Sequence, residues 1–363
     1  MVRFIIFFFI LLFSLFLMNF VIYFSVVKAF KIDRKKRGWL ILALVLATFM
    51  MILGLIFRNV SWLRETGYIW LGVLSISFTV LMINLSILLI FRRVFRITTT
   101  ISLILILVLS GLALLNNIKS PTIREYDIHS EKLSDETDGF RIVLVSEFHL
   151  IGRTSKKRLE NKLQIINQLD PDLVVIAGDL IDEPFDRVSH LLSSFRLLHS
   201  THGTYSVPGN HDYYQGIDSY HSFTQAAEIY NLYNTNSSLT DEIVIAGVID
   251  KTAGVKGTGF PDVGKAMEKI EPEDFIIFVS HQPLYNDEAL GLGADLLLAG
   301  HTHGGQIPPL TLFIKLRFQY PYGLYERDGS LIYTTSGIST WGPPMRLFSR
   351  NEIVVFNLYS VDN

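Results

Sequence analysis

The pattern of apolar and polar positions divides the chain near residue 117. Before that residue, four runs are apolar almost throughout, and each is close to or above the roughly 20 helical residues that cross a bilayer. The runs are Phe4–Val27, Trp39–Phe57, Tyr68–Phe91 and Thr98–Leu115. We therefore predict an α-helical membrane anchor of four transmembrane helices over residues 1–117, followed by a second domain over residues 118–363.

Two other interpretations fit these runs less well. The first run opens with Arg3 and resembles a signal peptide, but it is longer than a typical signal core and no small-residue cleavage site follows it. A buried soluble core is the other alternative. Because the runs leave no polar face to meet water, transmembrane helices are the favoured interpretation.

Positive charges in the connecting loops predict the orientation. The second loop holds only Arg58 and Arg64, with Glu65, whereas the first and third loops are strongly basic. The basic residues of those two loops are Lys28, Lys31, Arg34, Lys35, Lys36, Arg37, Arg92, Arg93 and Arg96. The positive-inside rule places these two loops in the cytoplasm. We thus expect a multi-pass protein of the cell membrane whose second domain lies on the extracytoplasmic side.

The second domain has the pattern of a layered α/β fold. Its short apolar runs lack alternation, which indicates strands covered on both faces. The predicted strands are Arg141–Val145, Leu173–Ala177, Gly203–Val207, Ile243–Val248, Phe275–Val279, Leu296–Ala299, Leu331–Thr335 and Ile353–Asn357. Helical spacing of apolar residues predicts helices over Lys156–Leu169 and Arg187–Leu198.

Composition narrows the chemistry. The sequence contains no cysteine, which excludes disulfides and thiolate metal sites. The polar part has no basic stripe with interleaved aromatic residues, so nucleic acid is not an expected partner. No charged residue lies deep inside a predicted span, which argues against a transporter or channel.

Candidate metal ligands follow five of the predicted strands. They are Glu147 and His149, then Asp179 and Asp182, then Asn210, His211 and Asp212, then His281, and finally His301 and His303. Loops beyond the carboxyl ends of strands are where α/β sheets assemble their sites. Residues two apart on leaving a strand point the same way, so each pair of that spacing offers two ligands to one cavity.

The ligand types indicate the metal. Carboxylate, amide and imidazole together suit divalent Mn, Fe or Zn. One carboxylate between two ions bridges them at about 3.5–4 Å in two-metal hydrolysis, and Asp179 is the candidate. Taken singly, Gly178-Asp179 and Gly209-Asn210 also fit ordinary turns, but five such loops in this order favour a site. The remaining histidines are expected at the surface or in the core: His129, His190, His199, His202 and His221.

These blocks resemble the signature of the calcineurin-like metallophosphoesterases. The resemblance covers Thr122 to Tyr359 and implies a four-layer αββα sandwich. The segments Gly304–Pro309, Tyr322–Arg327 and Ser336–Arg346 are similar to a bacterial membrane-associated branch of that family. This branch includes UDP-diacylglucosamine pyrophosphatase-like and cell-wall-associated phosphoesterases.

The resemblance implies a role for each position. One ion is expected on Glu147, His149, Asp179 and His303, and another on Asp179, Asn210, His281 and His301. His211 would contact the scissile phosphate or protonate the leaving group, and Asp212 would orient His211. Asp182 would contact the metal ligands without binding an ion itself. A metal-bridging hydroxide would attack phosphorus in a phosphate ester or pyrophosphate bond.

One position departs from the family pattern. Glu147 stands where the family has Asp, and its side chain is one methylene longer. The first ion site is therefore expected to be shifted, weaker or selective for another metal. The alternative function is a non-catalytic metal-binding sensor or scaffold, a pseudoenzyme through Glu147. Retention of His211 argues for the enzyme, because a structural metal site does not need that residue.

The substrate is expected to be a phosphorylated small molecule or a lipid-linked phosphate, with membrane lipids as further partners. Candidate residues at the pocket rim are Tyr213, Tyr214, Trp341 and Arg346, although Trp341 equally fits core packing. The stretch Leu310–Tyr320 alternates apolar and polar residues. It fits either a half-buried strand or a flap that meets acyl chains and headgroups.

Overall fold

The computed structural model describes residues 2–57 and 60–361, so the loop residue Arg58 lies outside the described residues. Contact clustering divides the chain into two compact units. The first contains the N-terminal helices together with residues 306–312 and 341–348. The second contains residues 119–305, 313–340 and 349–363.

The first unit is built on four long helices, and each is long and apolar enough to cross a membrane. They are α1 (Val2–Phe30), α2 (Arg34–Ile56), α3 (Ser61–Ile90) and α4 (Phe95–Ile118). Asp33 caps α2 by accepting a hydrogen bond from the Lys36 backbone N–H at 3.0 Å. Large apolar side chains such as Phe13, Leu107 and Leu89 are exposed along the helices. The four predicted apolar runs are confirmed as helices.

Two short segments from later in the chain pack within this helical unit. Ile307, Met345 and Leu347 are buried with Ile76 of α3 and Ala113 of α4. Two polar contacts fix these segments: Ser75 Oγ donates to Pro308 O at 2.6 Å, and Arg346 N donates to Ala113 O at 2.9 Å. The first unit therefore includes residues from beyond the boundary expected near residue 117.

The second unit contains two six-stranded mixed sheets. Its strands are β1 (Thr122–Ser130), β2 (Phe140–Val145), β3 (Leu173–Ile176), β4 (Thr204–Ser206), β5 (Ile229–Asn231), β6 (Thr235–Ser238), β7 (Ile243–Gly247), β8 (Phe275–Ser280), β9 (Leu296–Ala299), β10 (Gly323–Arg327), β11 (Ser330–Thr334) and β12 (Glu352–Ser360). One sheet has the order β1-β12-β2-β3-β4-β5 and the other β10-β11-β9-β8-β7-β6.

Short helices connect and cover these strands. They are α5 (Lys156–Gln168), α6 (Phe185–Val188), α7 (Leu192–Phe195), α8 (Asn210–Tyr214), α9 (Ile217–Ala226), α10 (Thr252–Lys256), α11 (Val263–Ala266), α12 (Asn286–Gly291) and α13 (Leu310–Arg317).

Alternate strand residues build three apolar layers. In β2, Ile142 and Leu144 face a core shared with the other sheet, whereas Val143 and Val145 face α5, α7 and α9. On the other sheet, Phe278 of β8 packs with α11 and α12. The order helix, sheet, sheet, helix confirms the predicted αββα sandwich.

The predicted strands all overlap observed ones, but two predicted segments differ. Arg187–Leu198 is not one helix, because a 3₁₀ turn over Ser189–Leu191 separates α6 from α7. Ser189 Oγ donates to Asp186 O at 3.2 Å, a bond that competes with helix continuation. Within Leu310–Tyr320, residues 310–317 form α13, which has no buried residue, so the half-buried strand is wrong. The missed strands are β1, β5, β6 and β10.

Candidate metal centre

The loops that carry the candidate ligands leave their strands through unusual backbone turns. The φ angles are 60° at Glu147, 48° at His149, 54° at Asp179, 70° at His301 and 51° at His303. Non-glycine residues rarely adopt positive φ, and strained positions of this kind concentrate at functional sites. The turns after β2, β3 and β9 therefore share an uncommon backbone conformation at five candidate ligands.

A first group of ligand atoms comes from the loops after β2 and β9. Glu147 Oε2 lies 2.9 Å from both His149 Nε2 and His303 Nε2. The two imidazole nitrogens are 3.2 Å apart, and Asp179 Oδ2 is 3.9 Å from His149 Nε2. The structure thus brings together the residues expected to hold the first ion.

A second group surrounds Nε2 of His281. This nitrogen lies 3.1 Å from Asn210 Oδ1, 3.3 Å from Asp179 Oδ2 and 3.3 Å from His301 Nδ1. These are the residues expected to hold the second ion. Asp179 contributes to both groups, which is the position that a bridging carboxylate requires.

Hydrogen bonds behind the rings fix which histidine nitrogen faces each group. His281 Nδ1 donates to Ala177 O at 2.8 Å, and His149 Nδ1 donates to Asp182 Oδ1 at 2.8 Å. A neutral imidazole with its proton on Nδ1 presents the Nε2 lone pair to the cluster, as metal-bound histidines do. When His281 is neutral, its Nε2 and Asn210 Oδ1 are two acceptors in contact, and either a proton or a metal ion between them would satisfy both. The residues present therefore fit divalent ions.

The charges in the cluster also favour a cation. Burial alone would lower the pKa of His281, but Asp179 and Glu147 raise it to about 10. Burial alone would raise the pKa of Glu147, but His303 and His149 hold it well below its usual range. Burial and the charge of His281 lower the pKa of His301 to about 4. The carboxylates thus stabilise positive charge, which a divalent ion would supply in place of protons.

His211 lies beside both groups, in α8. Its backbone N–H donates to Asp179 Oδ1 at 2.9 Å, and its ring meets the His149 ring edge-on at 4.8 Å between centroids. Asp182 Oδ1 accepts from His211 Nδ1 at 3.0 Å as well as from His149 Nδ1. One carboxylate therefore orients both the candidate catalytic histidine and a candidate ligand.

The expected role of Asp212 is corrected by its position. Its fully buried carboxylate accepts from the backbone N–H groups of Gly209 at 2.7 Å, Ile181 at 2.9 Å and Leu180 at 3.1 Å. Burial and the charge of Asp179 raise the pKa of Asp212 to about 7. Asp212 thus ties the loop after β3 to the loop after β4, while Asp182 is the residue that orients His211.

The candidate rim residues lie in different environments. Tyr213 is 3% exposed and packs with Ile249 and Ala253, so it does not line a rim. Arg346 is fully buried in the helical unit, and the prediction that it contacts substrate is corrected on that ground. Trp341 is half-exposed and also belongs to the helical unit. Tyr214 is exposed, and its ring centroid lies 5.2 Å from that of His211.

The residues that accommodate Glu147 were not predictable from the sequence. Gly337 has φ 81°, and a Cβ there would overlap the Cβ and Cγ of Glu147. Glu147 Oε1 accepts from His301 N at 2.6 Å and from Ser146 Oγ at 3.3 Å. The longer carboxylate is therefore held at both oxygens. The segment that contains Gly337 is recognisable in the sequence, but its contact with Glu147 is not.

Comparison with known proteins agrees with this geometry. The profile of the calcineurin-like phosphoesterase family matches residues 140–305. A Helicobacter pylori protein described as an uncharacterized metallophosphoesterase is 36% identical over 66% of this chain and 64% of its own length. A Danio rerio transmembrane protein with metallophosphoesterase domain is 34% identical over 70% of this chain and 61% of its own length.

The chain therefore spans less than two thirds of the length of these two relatives. A Campylobacter jejuni protein, also described as an uncharacterized metallophosphoesterase, is covered more fully. It is 32% identical over 74% of this chain and 71% of its own length. Taken with the paired ligand groups, this similarity shows that the chain belongs to the calcineurin-like metallophosphoesterase family.

Proposed function

We propose that this protein is a membrane-anchored phosphoesterase that hydrolyses a phosphate ester or pyrophosphate bond with two divalent ions of the Mn, Fe or Zn class. The observation that carries the proposal is the pair of ligand groups that share Asp179, with His211 beside them. A single structural ion would need neither the second group nor a further histidine held beside both groups.

The candidate ligands would divide between the two ions as their contacts do. Glu147, His149 and His303 would hold one ion, His281, His301 and Asn210 the other, and Asp179 both. When bound, two divalent ions supply an activated water and neutralise charge on the phosphoryl oxygens. The protein contributes fixed ligand positions, since the ligand rings are held by backbone and carboxylate acceptors.

His211 is suited to protonate the leaving oxygen. Because Nδ1 is bonded to Asp182, Nε2 is the nitrogen that can donate to substrate. Burial would lower the pKa of His211, but Asp182 and Asp179 raise it above its usual 6.5. The raised pKa favours the protonated ring, which is the state that a general acid requires.

The finer proposal is a substrate with an apolar tail, at a membrane surface. Phe313 and Leu316 of α13 are 58% and 76% exposed, and Lys315 and Arg317 alternate with them. Such a helix offers apolar side chains to acyl chains and cations to headgroups. Phe318, directly after the helix, lies 5.7 Å from the His301 ring between centroids. This contact links the amphipathic helix to the candidate centre.

We further propose that α1–α4 span the cell membrane and that the catalytic unit is extracytoplasmic. Support comes from the length of the four helices and from the basic residues of the first and third loops. Membership of the UDP-diacylglucosamine pyrophosphatase-like branch remains a prediction from the sequence resemblance.

A panel of phosphomonoesters, phosphodiesters and pyrophosphates, assayed with the full chain in detergent and with Mn, Zn and Mg separately, tests the activity. His211→Ala should abolish turnover and still bind metal, because His211 acts on phosphate. His190→Ala is the matched control, since His190 is exposed on the 3₁₀ turn. Loss of metal binding in His211→Ala would contradict the assigned role.

The second candidate function is a non-catalytic metal sensor, and the observation in its favour is Glu147 at the family's Asp position. The same panel separates the two. A parent protein that binds two ions but hydrolyses no phosphoester with any metal would establish the sensor and overturn the enzyme.

A further inference from the structure

We propose that α1, α3 and α4 form a binding site for the headgroup of an anionic phospholipid, separate from the metal centre. A cavity of about 720 Å³ lies where the end of α1 meets the turn between α3 and α4. Its lining combines basic and apolar residues: Phe24, Lys28, Ala29, Phe30, Lys31, Leu88, Leu89, Arg92, Arg93, Phe95 and Arg96.

The cavity concentrates positive charge without neutralising carboxylates. Five of its lining residues are Lys or Arg, and the only acidic residues among the first 118 are Asp33 and Glu65. Asp33 pairs with Lys36, outside the cavity, at 3.4 Å. In the part of the chain that the structure describes, none of the five cations forms an ion pair. Their mutual repulsion favours an anion between them.

The apolar part of the lining selects a lipid over a small free anion. Phe24, Phe30 and Leu89 are exposed beside the cations, and Leu88 and Phe95 complete the wall. A phospholipid matches both parts, because its phosphate meets the Lys and Arg side chains while its acyl chains meet the apolar ones. Basic pockets between transmembrane helices bind anionic headgroups on these grounds.

The walls of the cavity are held in place by helix packing. Phe95 is 3% and Ala29 is 6% exposed. One turn further into the helices, the buried Asn84 Nδ2 of α3 donates to Thr99 Oγ1 of α4 at 2.9 Å. The basic side chains thus project from the packed helices α1, α3 and α4 and the turns at their ends, unlike those of a mobile basic tail.

The inference rests on the proposal that these helices span a membrane, and the two fail separately. Alkaline carbonate extraction of membranes tests the span, because a peripheral protein is released and a spanning protein is retained. Lipid binding is then measured on the purified full chain in neutral detergent, using fluorescent phosphatidylglycerol against fluorescent phosphatidylcholine. Neither measurement depends on phosphoesterase activity.

The discriminating variant is Arg92→Gln/Arg93→Gln/Arg96→Gln. Its matched control, Arg34→Gln/Lys35→Gln/Lys36→Gln, removes the same charge from the other basic loop, outside the cavity. We expect the first triple variant to weaken phosphatidylglycerol binding roughly 100-fold, and the control to leave it unchanged. Unchanged melting temperatures in phosphatidylcholine nanodiscs verify that both variants fold, and a topology reporter verifies that neither is inverted.

Two results would overturn the inference. Equal loss in the two triple variants would mean that binding depends on the overall basic charge of the loops and not on the cavity. Competition of the fluorescent lipid by millimolar inorganic phosphate as effectively as by unlabelled phosphatidylglycerol would assign the cavity to a small anion.

Discussion

Shortening Glu147 tests whether the centre is built around glutamate. Glu147→Asp withdraws the carboxylate by one methylene, about 1.5 Å. Oε2 then loses its 2.9 Å positions beside His149 and His303, and Oε1 loses the backbone N–H of His301. Gly337 leaves space for the longer side chain, so nothing moves in to compensate. The variant should therefore bind its first ion more weakly than the parent, although it restores the family's usual residue.

The size of the effect follows from the hydrogen bond that is lost. A bond to a charged group contributes about 1.5–3 kcal/mol, and the His301 N–H would be left without this acceptor. Mutation of residues that position metal ligands typically lowers metal affinity about 10- to 100-fold, and we expect a loss of that size here. Calorimetric titration of the metal-stripped full chain with Mn or Zn measures it directly. The second ion should lose less affinity than the first, because Glu147 is not among its candidate ligands and only anchors the backbone of His301.

Glu242→Asp is the matched control. Glu242 Oε2 also accepts from a backbone N–H, that of Ser134, and from a hydroxyl, Thr137 Oγ1, each at 3.0 Å. This variant undergoes the same shortening outside the candidate centre and should bind both ions normally. If Glu147→Asp binds its first ion as tightly as the parent or more tightly, the conclusion that the loops are fitted to glutamate is refuted.

Three further predictions concern His211, the orientation of the chain and α13. Asp182→Asn removes the partner that raises the pKa of His211. Because the protonated imidazole is lost as pH rises through that pKa, the alkaline limb of the kcat profile should move to lower pH. An unmoved limb would show that Asp182 does not set the pKa of the catalytic acid. A reporter that is active only outside the cytoplasm should be active at the C-terminus and silent at Lys36, and the reverse pattern would invert the orientation. Phe313→Glu/Leu316→Glu should lower activity on a lipid phosphate and spare a soluble ester, whereas equal loss with a lower melting temperature would make these residues structural.

The candidate ligands at the strand ends were predictable, because each follows directly after an apolar run that is recognisable in the sequence. The strands before Glu147, Asp179 and His281 are apolar runs, and parallel neighbours deliver their carboxyl ends to one edge. Which aspartate orients His211 was not predictable. Asp182 and Asp212 each lie close to ligands in the sequence, and only the folded loops decide which carboxylate meets the imidazole.

Segments with a weak apolar pattern account for most of the other differences between the predicted and the observed structure. Residues 310–317 fit alternation as well as helical spacing, since leucine and isoleucine recur at both intervals, and α13 buries none of them. β1 has the sequence TIREYDIHS, which is polar over much of its length. It lies at the edge of its sheet beside β12, where polar residues are tolerated. Tyr213 and Arg346 have side chains that could bind a phosphorylated substrate, which is why the sequence suggested them. Both are buried by packing, which the residue type does not reveal.

The insertion of residues 306–312 and 341–348 among the N-terminal helices affects how the catalytic unit can be prepared. A chain that begins after Ile118 would lack Ile76 and Ala113, against which Ile307, Met345 and Leu347 are buried. Each such side chain contributes about 1.5–3 kcal/mol when it is buried, and all three would be left in water. Because Ile307 follows the candidate ligand His303 by only four residues, unfolding of that segment would begin close to a candidate ligand in the sequence. Residues 306–312 and 341–348 therefore depend on the N-terminal helices for their packing.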